Sequence, residues 1–163
     1  MIGNLTFLNN WQIRSELSNA LDKIYVKKEI PQFEWTDPFS VTAWIKTEQQ
    51  KQGFRQFVAG TTGDKNNWWR GWDFYLDDQN RINLRLINMA PGNMIHVQSE
   101  VTIPLEQWKH VAFRYDGSGK ARGTQLFVDG NEVKTNILID NLYKSILPVT
   151  WSGMKTVSYT HLR

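Results

Sequence analysis

The chain has 163 residues, 40% hydrophobic and 21% charged, with 11 glycines and 5 prolines, which fits one globular domain and excludes disordered, collagen-like and low-complexity classes. Nineteen Lys and Arg against sixteen Asp and Glu leave a formal charge of +3, scattered rather than clustered, so no nucleic-acid or anionic-lipid footprint is present. Cysteine is absent, which removes disulfides, thiolate metal sites and thiol nucleophiles, and no apolar run reaches the roughly 18 residues of a membrane span.

Eight Trp, eight Phe and five Tyr make the chain 13% aromatic, a bias that favours strands and permits stacking on sugar rings. Met1 to Asp37 is the least readable part, with edge strands expected around Leu5–Phe7 and Lys23–Val26. From Phe39 to Thr47 the alternation places Val41, Ala43 and Ile45 on one face, as a half-buried strand requires. Phe54–Gly60 and Gly71–Asp77 read as the next strands, the second ending at the turn Asp78-Gln79-Asn80. Arg81–Asn88 follows with Ile82, Leu84 and Leu86 inward, and Pro91-Gly92-Asn93 turns the chain into Met94–Thr102, with Ile95, Val97 and Val101 on the core side. Trp108–Tyr115 is a further strand, closed by Asp116-Gly117. Leu126 to Val133 carries the strongest local signal, because Asp129-Gly130 between apolar runs supplies the positive φ angles of a tight hairpin. Thr61–Arg70 is expected as a surface loop and Asn141-Leu142-Tyr143-Lys144 as a short helical turn. Short strands at turn-punctuated intervals, without βαβ alternation, point to an all-β sandwich or barrel.

The last residues stand apart. Val157-Ser158-Tyr159-Thr160-His161-Leu162-Arg163 resembles a sequencing adapter translated in frame, so 156–163 is expected to be a non-native tail and 1–155 the domain.

Three motifs in order carry a resemblance. Asp37-Pro38-Phe39-Ser40-Val41-Thr42-Ala43-Trp44-Ile45-Lys46, then Glu106-Gln107-Trp108-Lys109-His110-Val111-Ala112-Phe113-Arg114-Tyr115-Asp116-Gly117, then Gln125-Leu126-Phe127-Val128-Asp129-Gly130 are similar to laminin-G-like domains of the concanavalin A-like lectin and glucanase group. The likeness runs over residues 19–153 and is nearest to the variant found inside large multidomain bacterial proteins with cytochrome-like domains. It implies an antiparallel two-sheet jelly-roll sandwich and an extracellular or periplasmic setting. The family continues past the point where Ser152-Gly153-Met154-Lys155 ends the likeness, which implies a fold incomplete at its C-terminus.

Glycoside hydrolases occur in this group, and they depend on paired carboxylates. Retaining enzymes hold theirs about 5–5.5 Å apart and inverting ones about 6.5–9.5 Å. None of the seven glutamates sits in a Glu-x-Asp-x-x-Glu pattern. Asp73 and Asp77 share a strand face, but four residues of strand separate their Cα atoms by about 13 Å. No nucleophile-elbow, zincin or phosphate-loop motif is present, and His96 and His110 stand alone in expected strands, read as packing or surface histidines. Calcium would need only oxygen ligands, which Asp64, Asn66, Asn67 and Asp73 could supply, yet no ordered loop motif organises them and no cofactor is expected.

Recognition is the remaining chemistry. Asn67-Trp68-Trp69-Arg70-Gly71-Trp72 gathers three tryptophans beside a polar loop, where indoles can stack on a sugar face while Asn67 and Arg70 hydrogen-bond its hydroxyls. Asn67, Trp68, Trp69, Arg70 and Trp72 are therefore the candidate ligand residues of a non-catalytic module that binds a polysaccharide glycan. Two alternatives stay open: these tryptophans plug the sandwich or meet neighbouring domains of a scaffold, or the chain is a hydrolase with an unfamiliar constellation. Met89, Asn93 and Met94 could line the same rim, though core and turn roles suit them better.

Overall fold

The computed structural model describes residues 2–7, 11–13, 32–47, 52–53, 55–62 and 68–147, the first two segments by their backbone pairing. Eleven strands fall within them: β1 (Ile2–Phe7), β2 (Trp11–Ile13), β3 (Phe39–Lys46), β4 (Gln56–Gly60), β5 (Gly71–Leu76), β6 (Arg81–Met89), β7 (Asn93–Thr102), β8 (Trp108–Tyr115), β9 (Thr124–Val128), β10 (Asn131–Val133) and β11 (Thr135–Asp140). They form two sheets, six-stranded in the order β10-β9-β8-β3-β1-β2 and five-stranded in the order β11-β7-β6-β5-β4. Every pairing is antiparallel. The fold is thus the two-sheet jelly-roll sandwich that the sequence pattern and resemblance imply.

The period of two decides what lies between the sheets. On β3 the buried side chains are Phe39, Val41, Ala43 and Ile45; on β8 Val111, Phe113 and Tyr115 face them, the register pairing Val41 with Phe113 and Ala43 with Val111. The opposing sheet contributes Trp72, Phe74 and Leu76 from β5, Ile82, Leu84 and Leu86 from β6, and Ile95 and Val97 from β7. Phe39 is the aromatic centre, with ring centroids 4.3 Å from Phe33, 5.4 Å from Phe113 and 5.5 Å from Trp72. Each such side chain, removed from water, contributes about 1.5–3 kcal/mol before chain entropy is counted.

Turn chemistry matches the sequence where it is strongest. Asp129 and Gly130 have φ of +50° and +79° between the register partners Val128 and Asn131, a two-residue hairpin of the primed kind. The Asp129 carboxylate accepts from Lys109 Nζ at 2.7 Å and from the His110 N–H at 3.0 Å, tying the hairpin to β8. Lys109 beside it holds that carboxyl below the usual range.

Several expectations are corrected. Val101 is 40% exposed, because β7 runs past the core before it ends. Residues 141–144 are irregular, not helical: the Asn141 N–H donates to the Met94 carbonyl and the Tyr143 N–H to Asn93 Oδ1, so the backbone follows the neighbouring turn. Leu5–Phe7 belongs to β1, which is interior to its sheet, with β2 outside it. Strand β11 has no counterpart among the expected strands. Lys23–Val26, Phe54 and the tail 156–163 lie outside the described residues.

Candidate functional site

The connection between β4 and β5 closes on a clamp. The Thr61 N–H donates to the Trp72 carbonyl at 2.8 Å, and the Trp72 N–H donates to Thr61 Oγ1 at 3.3 Å. Gly71 enters β5 with φ of +133°, and a Cβ there would meet the Thr61 carbonyl oxygen at 2.7 Å, so only glycine lets the two backbones approach this closely. Immediately before it, Trp68 and Trp69 both take left-handed backbone conformations, φ +55° and +59°. Bulky residues rarely hold such angles, and the cost of about 1–3 kcal/mol each must be met by the surroundings. The Trp68 carbonyl accepts from the Ala90 N–H at 3.4 Å, and Arg70 Nε donates to the Asn88 carbonyl at 3.3 Å, fastening this turn to the end of β6.

A third segment completes the rim. Asn88 Nδ2 donates to the Ser145 carbonyl at 2.6 Å and Asn141 Nδ2 to the Gly92 carbonyl at 2.7 Å, while Glu34 Oε1 accepts the Ile146 N–H at 3.0 Å. The stretches around 68–70, 89–93 and 141–146 are thus cross-linked at one end of the sandwich. They present Trp68 at 59% exposure, Trp69 at 48% and Tyr143 at 59%, with Met89 also exposed.

The five candidate residues do not all gather there. Trp68, Trp69 and Arg70 do; Asn67 lies outside the described residues, as do Asp64 and Asn66. Trp72 is corrected: it is 1% exposed, its indole packed on Phe39 and Phe113, because it is the first inward position of β5. Asn93 and Met94 are buried, whereas Met89 reaches the surface. Tyr143 is the rim residue that sequence reasoning misses, hidden in the segment expected as a helical turn.

The outward face of the five-stranded sheet carries a polar band whose members lie far apart in the sequence. Asp73 is fully buried and paired with Arg85, whose Nε donates to Asp73 Oδ1 at 2.8 Å and whose terminal nitrogen donates to Oδ2. The Arg85 and Arg55 guanidiniums each lie 5.0 Å from the Tyr75 ring. His96 Nε2 sits 2.9 Å from Asn83 Oδ1 and 3.3 Å from the Tyr75 hydroxyl. Asn83 Nδ2 is occupied in donating to the Arg81 carbonyl at 2.9 Å, which leaves Oδ1 as the acceptor and puts the proton on His96 Nε2. Burial, then the Arg85 and Arg55 charges, lower the His96 pKa to about 4. Burial also raises the Tyr75 hydroxyl. Asp77 Oδ2 accepts from Arg81 Nε and Gln98 Nε2, each at 2.9 Å. Burial pushes that carboxyl up, but the backbone N–H groups of Arg81 and Gln79 outweigh it and hold it below the usual range.

Both carboxylates are therefore committed to neighbouring side chains. Asp73 in particular spends its oxygens on Arg85 instead of facing a loop where a cation could sit. Among the described residues no three His, Asp or Glu side chains gather as a metal site.

The architecture has a counterpart of known structure. A family-40 carbohydrate-binding module of a Ruminococcus gnavus sialidase, bound to alpha2,3 sialyllactose, superposes with a TM-score of 0.50 at 15% identity, covering 74% of this chain and 61% of that one. The chain thus spans about three fifths of that structure, and at this identity the likeness speaks for the fold. No curated protein matches the chain. The laminin-G family described as concanavalin A-like lectin/glucanases superfamily matches residues 22–152, and with most of its length so matched the chain belongs to that superfamily.

Proposed function

We propose that this domain is a non-catalytic carbohydrate-binding module that holds a glycan on the Trp68-Trp69-Arg70 turn, with Tyr143 beside it, within a larger surface or secreted bacterial protein. The observation that carries the reading is the pair of adjacent, half-exposed indoles in left-handed backbone, bonded to a second turn. Strain of this kind persists where neighbouring structure over-determines it, and it concentrates at ligand sites. Indole faces stack on the C–H faces of sugar rings, and Arg70 and nearby backbone groups supply donors for hydroxyls. The superposed family-40 module supports the same class of ligand without identifying the sugar. An extracellular or periplasmic setting accords with this role.

A glycan array followed by calorimetry on the full chain tests the proposal. Trp68→Ala and Trp69→Ala should each weaken binding roughly ten- to hundredfold, as hot-spot aromatics do, with the circular dichroism spectrum unchanged. Silence across neutral, sialylated and sulfated glycans, or undiminished affinity in the double variant, would refute it.

One further observation favours a scaffolding role instead. Trp44 and Trp108 are 46% and 43% exposed on the outer face of the six-stranded sheet, with the His110 ring 5.4 Å from Trp44. A neighbouring domain of the same polypeptide would cover such a face, and array silence would leave that reading standing.

A further inference from the structure

The chain crosses between the sheets at Lys134, passing from β10, the edge of the six-stranded sheet, to β11, the edge of the five-stranded one. Along this flank runs an open, mostly polar groove of about 400 Å³. None of its lining residues belongs to the tryptophan rim.

The floor is a single 3₁₀ turn, Ala121–Gly123, held from several sides. The Ala121 N–H donates to Asp140 Oδ1 at 2.9 Å, the Thr124 hydroxyl to the Ala121 carbonyl at 2.7 Å, and the Asp116 N–H to the Gly123 carbonyl at 3.1 Å. A Cβ on Gly123 would push aside the Asp116 carboxylate and the Ser118 hydroxyl, and next to it Arg122 is exposed. Arg114 and Gln125 are register partners on β8 and β9, and Gln125 Nε2 donates to Glu132 Oε2 at 3.0 Å. Ile137, 55% exposed, forms the apolar wall on β11.

The chemistry of this lining is specific in kind. Two guanidiniums, two carboxylates and a carboxamide line it, polar groups that can donate to or accept from sugar hydroxyls beside the bonds from Gln125 Nε2 to Glu132 and from the Ser118 N–H to Asp116 Oδ1, and the exposed Ile137 adds apolar surface. Arg114 and Arg122 against Asp116 and Glu132 sum to zero charge, so an ion of either sign would meet a like charge as well as an opposite one. We propose that this groove is a second saccharide subsite that takes an uncharged oligosaccharide, separate from the tryptophan turn. It rests on the carbohydrate-binding reading of the domain but not on the rim residues.

The test is NMR of the full chain, following the Arg114 and Arg122 Nε–H, Gln125 amide and Trp68 and Trp69 indole signals. Maltotriose, cellotriose, xylotriose and trigalacturonate are added separately to about 10 mM, where weak subsites fill. At least one neutral trisaccharide should shift the groove signals, and Arg122→Ala or Gln125→Ala should weaken that response about tenfold while leaving any indole response intact. Arg122 is exposed and Gln125 half-buried, and the spectrum itself reports folding. A groove response with unmoved indoles upholds the subsite and shows that it fills independently of the rim, whose own test is the glycan array. No groove shift with any neutral probe overturns the subsite. So does a shift confined to trigalacturonate that vanishes at about 0.5 M salt, because screening would then mark an ionic contact.

Discussion

Trp69 and Trp72 are three residues apart and have opposite fates, which one glycine decides. Gly71 begins β5, and from there the pleat sends Trp72, Phe74 and Leu76 inward and Asp73 and Tyr75 outward. The outward pair is almost as buried as the inward set, at 0% and 2% exposure, so alternation of hydrophobicity alone does not describe this strand. It shows in the sequence only as Gly-Trp-Asp-Phe-Tyr-Leu, where a buried aspartate is indistinguishable from a surface one until its partner Arg85 comes opposite it through strand pairing. The consequence is measurable. Asp73→Ala leaves the Arg85 guanidinium, whose side chain is 12% exposed, uncompensated, and should cost about 3–5 kcal/mol in urea unfolding. Replacing both partners together, Asp73→Leu with Arg85→Met, should recover most of that loss. A single-variant cost below about 1 kcal/mol would show that the pair is better solvated than its burial implies.

At the level of strands and turns, legibility followed the strength of local chemistry. Strands β3, β5, β6 and β8 were readable from period-two alternation or aromatic content, and the β9–β10 hairpin from Asp129-Gly130, because each signal lies within a few neighbouring residues. Strand β11 was not, since only Thr135 and Ile139 are even partly buried and an edge strand needs no apolar face. The rim was half legible: clustered tryptophans marked the turn, whereas Tyr143 joins it through its own N–H to Asn93 Oδ1 and through Asn141 Nδ2 to the Gly92 carbonyl, partners about fifty residues away in the chain. Two glycines separate the local from the long-range contribution. Gly130 has φ +79° with no atom within 4 Å of where a Cβ would stand, so Gly130→Ala should cost only the backbone term, about 1 kcal/mol. Gly71→Ala adds collision with Thr61 to its unfavourable φ and should cost about 2–4 kcal/mol, and under the proposed function it should also weaken glycan binding because Trp68 and Trp69 lose their anchorage. Thermal melts of the two variants side by side check the order; equal losses would mean that the β4–β5 clamp yields freely.

Across the whole molecule, one face of the five-stranded sheet closes the apolar core and the other is knitted by hydrogen bonds linking β5, β6 and β7 through Tyr75, Asn83, His96 and Gln98. That band makes global stability depend on pH. The folded state holds His96 with a pKa of about 4, against an ordinary value of 6.5. Between those values the unfolded chain binds the proton and the folded one does not, so stability is complete above pH 6.5 and declines as pH falls towards 4. The slope is at most about 1.4 kcal/mol per pH unit, and smaller because part of the ring meets solvent. Arg85 and Arg55 reinforce the effect and Asp77 opposes it. Asp77 contributes its own acid loss lower down, below the usual carboxylate value of 3.8, so the two windows are separable. His96→Gln removes the titration and keeps an amide donor for Asn83 Oδ1. Urea unfolding at constant ionic strength should therefore show the parent chain losing stability between about pH 6.5 and 4.5 while His96→Gln stays flatter. Parallel curves would mean that the imidazole takes up its proton while folded, which requires the band to open and the two guanidiniums to move away from it.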